Sequence, residues 1–327
     1  MRIKNAFVTL VVLCLVGYGA LKLYVYYRAK DNFQQILYCM GMPRGMSVSA
    51  PEKNEYFDYD HISASVFGPV GIKGLKIRIP MFDEEITFGE VLLTYDYDGD
   101  IKTCPTPKHI NFTVNNLKMN VSLLEKIAKQ KEKFKERQGI EDDEVPELVR
   151  RLGYADLYTR ASDFRALGYN ELNIDLGFDL TFNKEDMEAT FNVHEKMKGM
   201  GDFSFTFTVA GMAKNINSAV LGAKLKEAKL EYTDESYVNR LFKMFAESNK
   251  EDVNAYRNTV VAGLPTDFNS KQIKLGADSI KNLTDFLQDP KRLIVTMYPY
   301  EPVGIESIKL YKPGDVPMLL NVQIYTK

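Results

Sequence analysis

The sequence has no tryptophan and only three histidines and three cysteines among its 327 residues. Its 42 lysines and arginines are balanced by 44 aspartates and glutamates, so the formal net charge at pH 7 is −2. A chain without an excess of basic residues has little to attract the phosphates of a nucleic acid, so we expect no nucleic-acid partner. Apolar residues make up 45% of the chain, which is ordinary for a protein with a folded core.

Residue patterns that mark common catalytic sites are also missing. The sequence contains no nucleophile elbow, phosphate-binding loop, dinucleotide fingerprint or metalloprotease helix. His61, His109 and His194 have no partner at a metal-ligand spacing, and no Cys-x-x-Cys pair occurs. We therefore predict that the protein is not an enzyme and that it holds neither a metal nor a cofactor.

The few cysteines leave two alternatives open. Cys14 lies in an apolar N-terminal run, so Cys39 and Cys104 are the two cysteines of the remaining chain. An oxidising compartment would pair them in a disulfide. Two separate buried thiols fit the sequence equally well.

One long apolar run is present, at the N-terminus. From Ala6 the chain carries no charge until Lys22, and its apolar character continues to Tyr26. Because a membrane-spanning helix needs about 20 such residues, we predict that residues 1–30 form an anchor. A cleaved signal peptide is the alternative, although the apolar residues continue past Gly19, where its cleavage site would lie. Basic residues flank both ends of the run, so charge leaves its orientation open.

The rest of the chain, residues 31–327, shows the alternation typical of β-strands. From Leu172 to Phe182 every second residue is apolar, and several other segments repeat this pattern. The pattern shifts by one residue at Gly89–Glu90. An extra residue in one strand produces such a shift, so we expect a β-bulge there. A charged helix and an acidic loop at residues 122–150 mark a candidate sub-boundary of this domain.

Helical patterns follow residue 236, and a Ser248–Glu251 capping box is expected to begin the second of these helices. The expected fold class is therefore α+β. In this fold, an N-terminal transmembrane helix leads into a β-rich domain, whose curved antiparallel sheet is covered by several helices.

Three successive strands in the middle of the chain place their apolar residues on one side of the sheet. Aromatic residues on neighbouring strands would together expose a larger apolar patch than soluble proteins usually tolerate. We therefore predict that this face is buried, either by the helices or by an apolar ligand. The candidate face consists of Leu176, Phe178, Phe191, Phe205 and Phe207.

Two groups of segments resemble known proteins. "YDYDHISASVFGPVGIKGLKIRIP" with "ITFGEVLL" resembles the opening of AsmA-like bacterial envelope proteins. "LGYNELNIDLGFDLTFN", "GMGDFSFTFTVAGM" and "LEYTDESYVNRLF" are similar to an uncharacterised family of proteobacterial single-pass envelope proteins. The resemblance implies a single-pass protein of the bacterial inner membrane whose soluble domain lies in the periplasm. It also implies an association with lipid movement, which is attributed to the broader AsmA-like group.

These observations predict a non-enzymatic, membrane-anchored envelope protein that binds lipid or another apolar ligand on a one-sided β-sheet. The alternative is a structural or accessory subunit of an envelope protein complex with no ligand of its own. The expected partners are the membrane, through the N-terminal anchor, together with lipid and other envelope proteins.

Overall fold

The computed structural model describes residues 56–64, 69–97, 107–138, 163–212, 222–308 and 310–327. The predicted anchor at Ala6–Tyr26 lies outside these residues, and so do Cys39 and Cys104. The described residues form twelve strands of a single sheet, with helices at one end of it and after its ninth strand.

The strands are β1 (Phe57–Asp58), β2 (His61–Ala64), β3 (Val70–Ile79), β4 (Glu84–Tyr97), β5 (Pro107–Asn120), β6 (Glu171–Asn183), β7 (Glu188–Met197), β8 (Gly201–Ala210), β9 (Lys224–Asp234), β10 (Arg292–Met297), β11 (Val303–Gly304) and β12 (Val322–Thr326). The helices are α1 (Val121–Gln138), α2 (Asp163–Ala166), α3 (Tyr237–Asn249), α4 (Val253–Ser270), α5 (Ala277–Gln288), α6 (Ile305–Ile308) and α7 (Val316–Leu319).

The sheet is a long meander. From β3 to β10 each strand pairs with the next one along the chain, and every pairing is antiparallel. β1 and β2 both pair with β3, β11 pairs with β9, and β12 pairs with β10 at the far edge. Neighbouring strands that are also neighbours in sequence allow the apolar alternation of each strand to fall on a common face.

The expected fold class is wrong. The described residues form a mostly antiparallel β-sheet of twelve strands in which helices are the minor part, in place of the expected α+β arrangement. Within the described ranges, no helix is long and apolar enough to cross a membrane. The predicted localisation was the bacterial inner membrane, with a single pass and a periplasmic domain. It relied on such a helix, and this finding contradicts it.

The slip in the apolar pattern near Gly89 is shared by three strands. Leu75 pairs with Phe88, and Phe88 pairs with Leu117, so the slips on β3, β4 and β5 are aligned across the sheet. The bulge predicted at Gly89–Glu90 is not there, because β4 keeps one register with both neighbours across these residues. The register shifts instead between β5 and β6, at Val114–Leu117, as a bulge on β5 requires. At this bulge Asn116 has a φ of 55°, and its amide donates a 2.6 Å hydrogen bond to Oδ1 of Asp175. The aligned slip keeps the apolar residues of all three strands on one face.

Three clusters of buried side chains form the interior. The strand core lies at one end of the sheet and has no helical member among the described residues; it includes Ile110, Leu180, Phe182, Ala189, Val209, Met212 and Ala223. The mixed core lies at the other end, where residues of α1, α2 and α3 pack on the sheet around Val121, Leu167, Tyr169, Leu172, Ile174 and Met200. The helix core joins α3, α4 and α5 to β9 and β10 around Val238, Phe242 and Phe286.

The helices predicted after residue 236 are present, but the predicted capping box is wrong. Asp252 is the N-cap of α4, and its Oδ1 accepts hydrogen bonds from the amides of Asn254 at 2.9 Å and Ala255 at 3.0 Å. Ser248 instead donates to the Met244 carbonyl inside α3. The aspartate accepts both bonds at once, so the first turn of α4 does not need Ser248.

Arg257 holds α3, α4 and α5 together. It donates from Nη2 to Asn239 on α3 at 2.6 Å and from Nη1 to the Gln288 carbonyl at the end of α5 at 3.0 Å. Its guanidinium also lies 4.8 Å from the centre of the Phe242 ring. The helices therefore form one unit over β9 and β10, to one side of the predicted apolar face.

Candidate functional site

The apolar side of β6, β7 and β8 forms a regular grid because the three strands pair in register. Cross-strand partners on this side fall into three rows, which we call the β6–β8 grid: Leu176, Glu195 and Phe203; Phe178, Val193 and Phe205; Leu180, Phe191 and Phe207. Directly opposed Cβ atoms in an antiparallel sheet lie about 5 Å apart. The nine side chains therefore form one continuous surface.

Four phenylalanine rings of the grid contact one another. The Phe191 and Phe207 rings are stacked, with centroids 4.6 Å apart and an interplanar angle of 6°. Phe178 lies 6.4 Å from Phe191, and Phe205 lies 5.2 Å from Phe207. Ring pairs at these distances contribute favourable energy beyond the area that they bury. We call Phe178, Phe191, Phe205 and Phe207 the four-ring cluster.

The grid is less buried than the two ends of the same face. At one end Ala189 and Val209 have relative exposures of 0% and 2%, and at the other Leu172 and Ile174 are also buried. Of the nine grid residues, only Leu180 is buried, and the other eight keep partial exposure. The middle of the apolar face therefore stays in contact with solvent while both ends are closed.

The five residues predicted for the apolar face all lie on this grid. Leu176 packs against the mixed core together with Leu241 and Met244 of α3. Phe178, Phe191 and Phe207 pack against the strand core, which has no described helical member. Phe205 contacts the Phe207 ring and lies between Val193 on β7 and Leu230 on β9. The helices therefore reach one corner of the predicted face.

Four grid residues are absent from the predicted face, namely Leu180, Val193, Phe203 and Glu195, and Glu195 is the charged one among them. It lies opposite Leu176 on β6 and Phe203 on β8, within the apolar face. Burial raises the pKa of this carboxyl above its usual value. Within the described ranges it has neither a hydrogen bond nor an ion pair. The period of two that contains Phe191 and Val193 also contains position 195, so the alternation could have revealed it.

The opposite face of the same strands is polar and internally bonded. Asp179 Oδ2 lies 2.6 Å from His109 Nε2 and 3.4 Å from Asn111 Nδ2, and Oδ1 accepts from Asn192 at 3.4 Å. Partial burial pushes the pKa of Asp179 upward, but the hydrogen bonds from these three side chains lower it below its usual value. Thr206 continues the ladder by donating to Asn192 at 2.8 Å. These contacts tie strands together across the sheet.

Two of the three histidines lie on the polar side of the sheet. His109 belongs to the Asp179 network, and His194 lies 3.5 Å from Asp202 on the same polar face. His61 is in β2, at the first edge of the sheet. Among the described residues, no group of three potential ligands is arranged to hold a metal.

An open cleft of about 980 Å³ lies between the α4–α5 connection and β12. Several of its polar side chains already have partners in the fold: Ser279 and Asn282 bond to Ile324, and Lys274 pairs with Asp315. The most exposed aromatic ring on its wall is that of Tyr300, at 91%. The cleft lacks the contiguous apolar surface of the grid, so the grid is the stronger candidate site.

A family model described only as an uncharacterized protein matches residues 195–327. No curated protein matches the chain. The matched segment is less than half of the chain, and it begins inside β7 at Glu195. It contains β8 to β12 and helices α3 to α7, while β6 and the earlier strands lie before it.

Proposed function

We propose that the protein is a non-catalytic binding protein that holds a lipid or another apolar molecule against the β6–β8 grid. The observation that supports this function most directly is the difference in burial along one face. The ends of the face are closed by the strand core and the mixed core, whereas the four-ring cluster between them remains half-buried.

The dimensions and composition of the grid suit such a ligand. Three rows of residues span about 13 Å along the strands, and three strands span about 10 Å across them. Eight of the nine side chains are apolar, and four of these are rings already in mutual contact. Covering apolar area contributes about 25 cal/mol per Å². A small apolar ligand that covers part of this surface would therefore gain binding energy from the area that it buries.

The grid is also ordered before binding. Its side chains are on three fully paired strands, and the Phe191–Phe207 stack fixes the two central rings. A preformed surface loses little side-chain entropy when a ligand arrives, so more of the contact energy appears as affinity. Apolar lining with very few polar groups is typical of small-molecule sites.

The test uses the full chain, purified without detergent, and Nile red as an uncharged apolar probe. Phe191→Ala and Phe207→Ala each remove one ring of the stacked pair, and we expect each to weaken Nile red binding about tenfold. Tyr300→Ala removes a more exposed aromatic outside the grid and is expected to leave binding unchanged. If both grid variants keep the parent affinity, the grid is not the site.

Phe205→Asp separates a ligand site from an ordinary core. Phe205 is half-buried, so an aspartate at this position keeps access to water and the fold should survive. Lipid recovered with the purified protein, measured by native mass spectrometry, should fall. A large drop in melting temperature would instead identify a core position. Unchanged melting and unchanged lipid content would show that the residue is neither core nor site.

The same measurement identifies the alternative function. The face is a subunit contact if three results occur together. The parent protein carries no lipid, it does not bind Nile red, and it is isolated with other proteins that are lost when Phe191 or Phe207 is substituted. The protein would then be an accessory subunit with no ligand of its own.

A further inference from the structure

Glu195 is the one charged position on an otherwise apolar grid. The residues before and after it on the same face of β7 are Val193 and Met197, and its cross-strand neighbours are Leu176 and Phe203. Four apolar neighbours therefore surround a carboxylate. Removing such a group from water without a partner is costly, because the ionised form loses its hydration.

Four basic residues on the helices that pack near this end of the sheet, Lys126, Arg165, Arg240 and Lys243, have other partners. On α1, Lys126 bonds to Glu84, and Glu125 pairs with Arg165 of α2. On α3, Arg240 donates to the Leu167 carbonyl and lies 4.7 Å from the centre of the Tyr169 ring, and Lys243 lies beside Glu247. None of these cations forms an ion pair with Glu195.

The apolar face of the three central strands supplies no cation either. Lys196 and Lys198 are the nearest basic residues in sequence; Lys196 pairs across β7 and β8 with Asp202 on the polar face, and Lys198 lies in the turn between these strands. In the described part of the chain, the Glu195 carboxylate therefore faces an apolar surface without a counter-charge. A hydrocarbon that covered the whole grid would bury this carboxylate without a partner.

We propose, on the basis of the function proposed above, that the ligand is an amphiphile with a protonated amine. Its hydrocarbon part covers the four-ring cluster, and its ammonium group donates hydrogen bonds to the Glu195 carboxylate. The placement fits one molecule: Glu195 belongs to the first row of the grid, and the four rings occupy the second and third rows. Neighbouring rows are about 7 Å apart along a strand. An extended hydrocarbon chain that covers the second and third rows therefore ends beside the carboxylate in the first row.

The chemistry of the pair explains the preference for a cation. Hydrogen bonds between an ammonium and a carboxylate are charge-assisted and stronger than those between neutral groups. The apolar neighbours exclude water around the pair, which strengthens their attraction further. Burial already raises the pKa of Glu195, as expected for a carboxyl that has lost part of its hydration and has no cation beside it. An anionic head group at the same place would be repelled.

The test compares two ten-carbon probes below their micelle concentrations, decylammonium and decyl glucoside, by titration calorimetry on the full chain. We expect decylammonium to bind the parent about tenfold more tightly than decyl glucoside. Glu195→Gln keeps the size of the side chain and removes its charge. It is expected to lower decylammonium affinity about tenfold, which corresponds to about 1.4 kcal/mol, while decyl glucoside affinity is unchanged.

Glu188→Gln is the matched control. It changes the same residue type on the same strand, but Glu188 lies on the polar face beside Lys226. If this variant lowers decylammonium affinity as much as Glu195→Gln does, the preference comes from the net charge of the protein, and the inference is overturned.

The remaining outcomes separate the two proposals. Equal binding of both probes to the parent, with no effect of Glu195→Gln, would overturn the cationic ligand and leave the apolar-ligand function standing. If neither probe binds the parent and Nile red does not bind, the proposed function itself fails. Circular dichroism of each variant verifies that the fold is retained.

Discussion

The side chain of Asn282 on α5 donates a 2.8 Å hydrogen bond to the carbonyl oxygen of Ile324 on β12. Ser279, one turn earlier on α5, accepts a 3.1 Å hydrogen bond from the amide of the same residue. Because β12 is the last strand of the sheet, its outward backbone groups have no further strand to pair with. Helix α5 therefore covers an edge that could otherwise pair with a strand of another chain.

Asn282→Ala should leave the Ile324 carbonyl without this partner. We expect the free energy of unfolding to fall by about 1–2 kcal/mol, because a partly buried polar group loses its hydrogen bond. Urea denaturation measures this change. Lys281→Ala, at an exposed neighbouring position of the same helix, should change stability by less than about 0.5 kcal/mol. Equal effects of the two substitutions would show that the edge contact adds no stability.

Asp252→Ala tests which residue caps α4. The aspartate accepts from two otherwise unpaired amides of the first turn, so its loss should cost about 1 kcal/mol. Ser248→Ala should be nearly neutral, since Ser248 lies within α3 and alanine is the better helix former. Thermal or urea unfolding of both variants gives the order. The reverse order would support a capping box at Ser248.

The sequence predicted the central strands well because their alternation is a local property. The period of two placed Leu176, Phe178, Phe191, Phe205 and Phe207 on one face, and the pairing of β6, β7 and β8 brings them together. The fold class was predicted wrongly because the pattern within a strand does not report how many strands join one sheet. That number depends on backbone pairing between segments far apart in the sequence, as in β9 with β10.

The site was predicted in part for a similar reason. Whether a helix covers a given apolar residue depends on where the helix packs, and α3 to α5 pack over Tyr232 and Leu293 rather than over Phe205. Glu195 was missed because a charged residue near the end of a strand is also typical of a turn. Its place in the period of two with Phe191 and Val193 indicates the apolar face, and the register with Leu176 and Phe203 confirms that its side chain lies there.

Glu84 should make a defined contribution to stability in acid. Hydrogen bonds from Lys126 at 2.7 Å, Ser122 at 2.7 Å and Asn120 at 3.1 Å lower the pKa of its carboxyl from the usual 4.5 to about 2. A carboxyl with a depressed pKa in the folded state stabilises the fold above its unfolded pKa. This contribution is lost as the pH falls through the folded value.

The difference in unfolding free energy between the parent and Glu84→Gln should therefore be constant above about pH 5 and shrink between about pH 4.5 and pH 2. Urea denaturation across this range measures it. Glu85→Gln, at the next and exposed position of β4, is the control and should give a smaller difference. A Glu84→Gln difference that does not change with pH would contradict the assigned hydrogen bonds.

Gly314 and Gly263 should respond to alanine in opposite directions. A Cβ at Gly314 would lie 2.1 Å from the Gln272 carbonyl oxygen and 2.7 Å from its carbon, both in the backbone, next to the 2.8 Å hydrogen bond from the Lys274 amide to the Gly314 carbonyl. The two segments must move apart to accept it, so we expect Gly314→Ala to lower the unfolding free energy by about 1–3 kcal/mol.

Gly263 is inside α4, and a Cβ there would have no atom within 4 Å. Since glycine in a helix interior is less favourable than alanine, Gly263→Ala should raise the unfolding free energy by about 0.5–1 kcal/mol. Both variants are measured by urea denaturation under one set of conditions. If Gly314→Ala were neutral, the close approach of the Pro313–Asp315 turn to the end of α4 would not be a fixed feature of the fold.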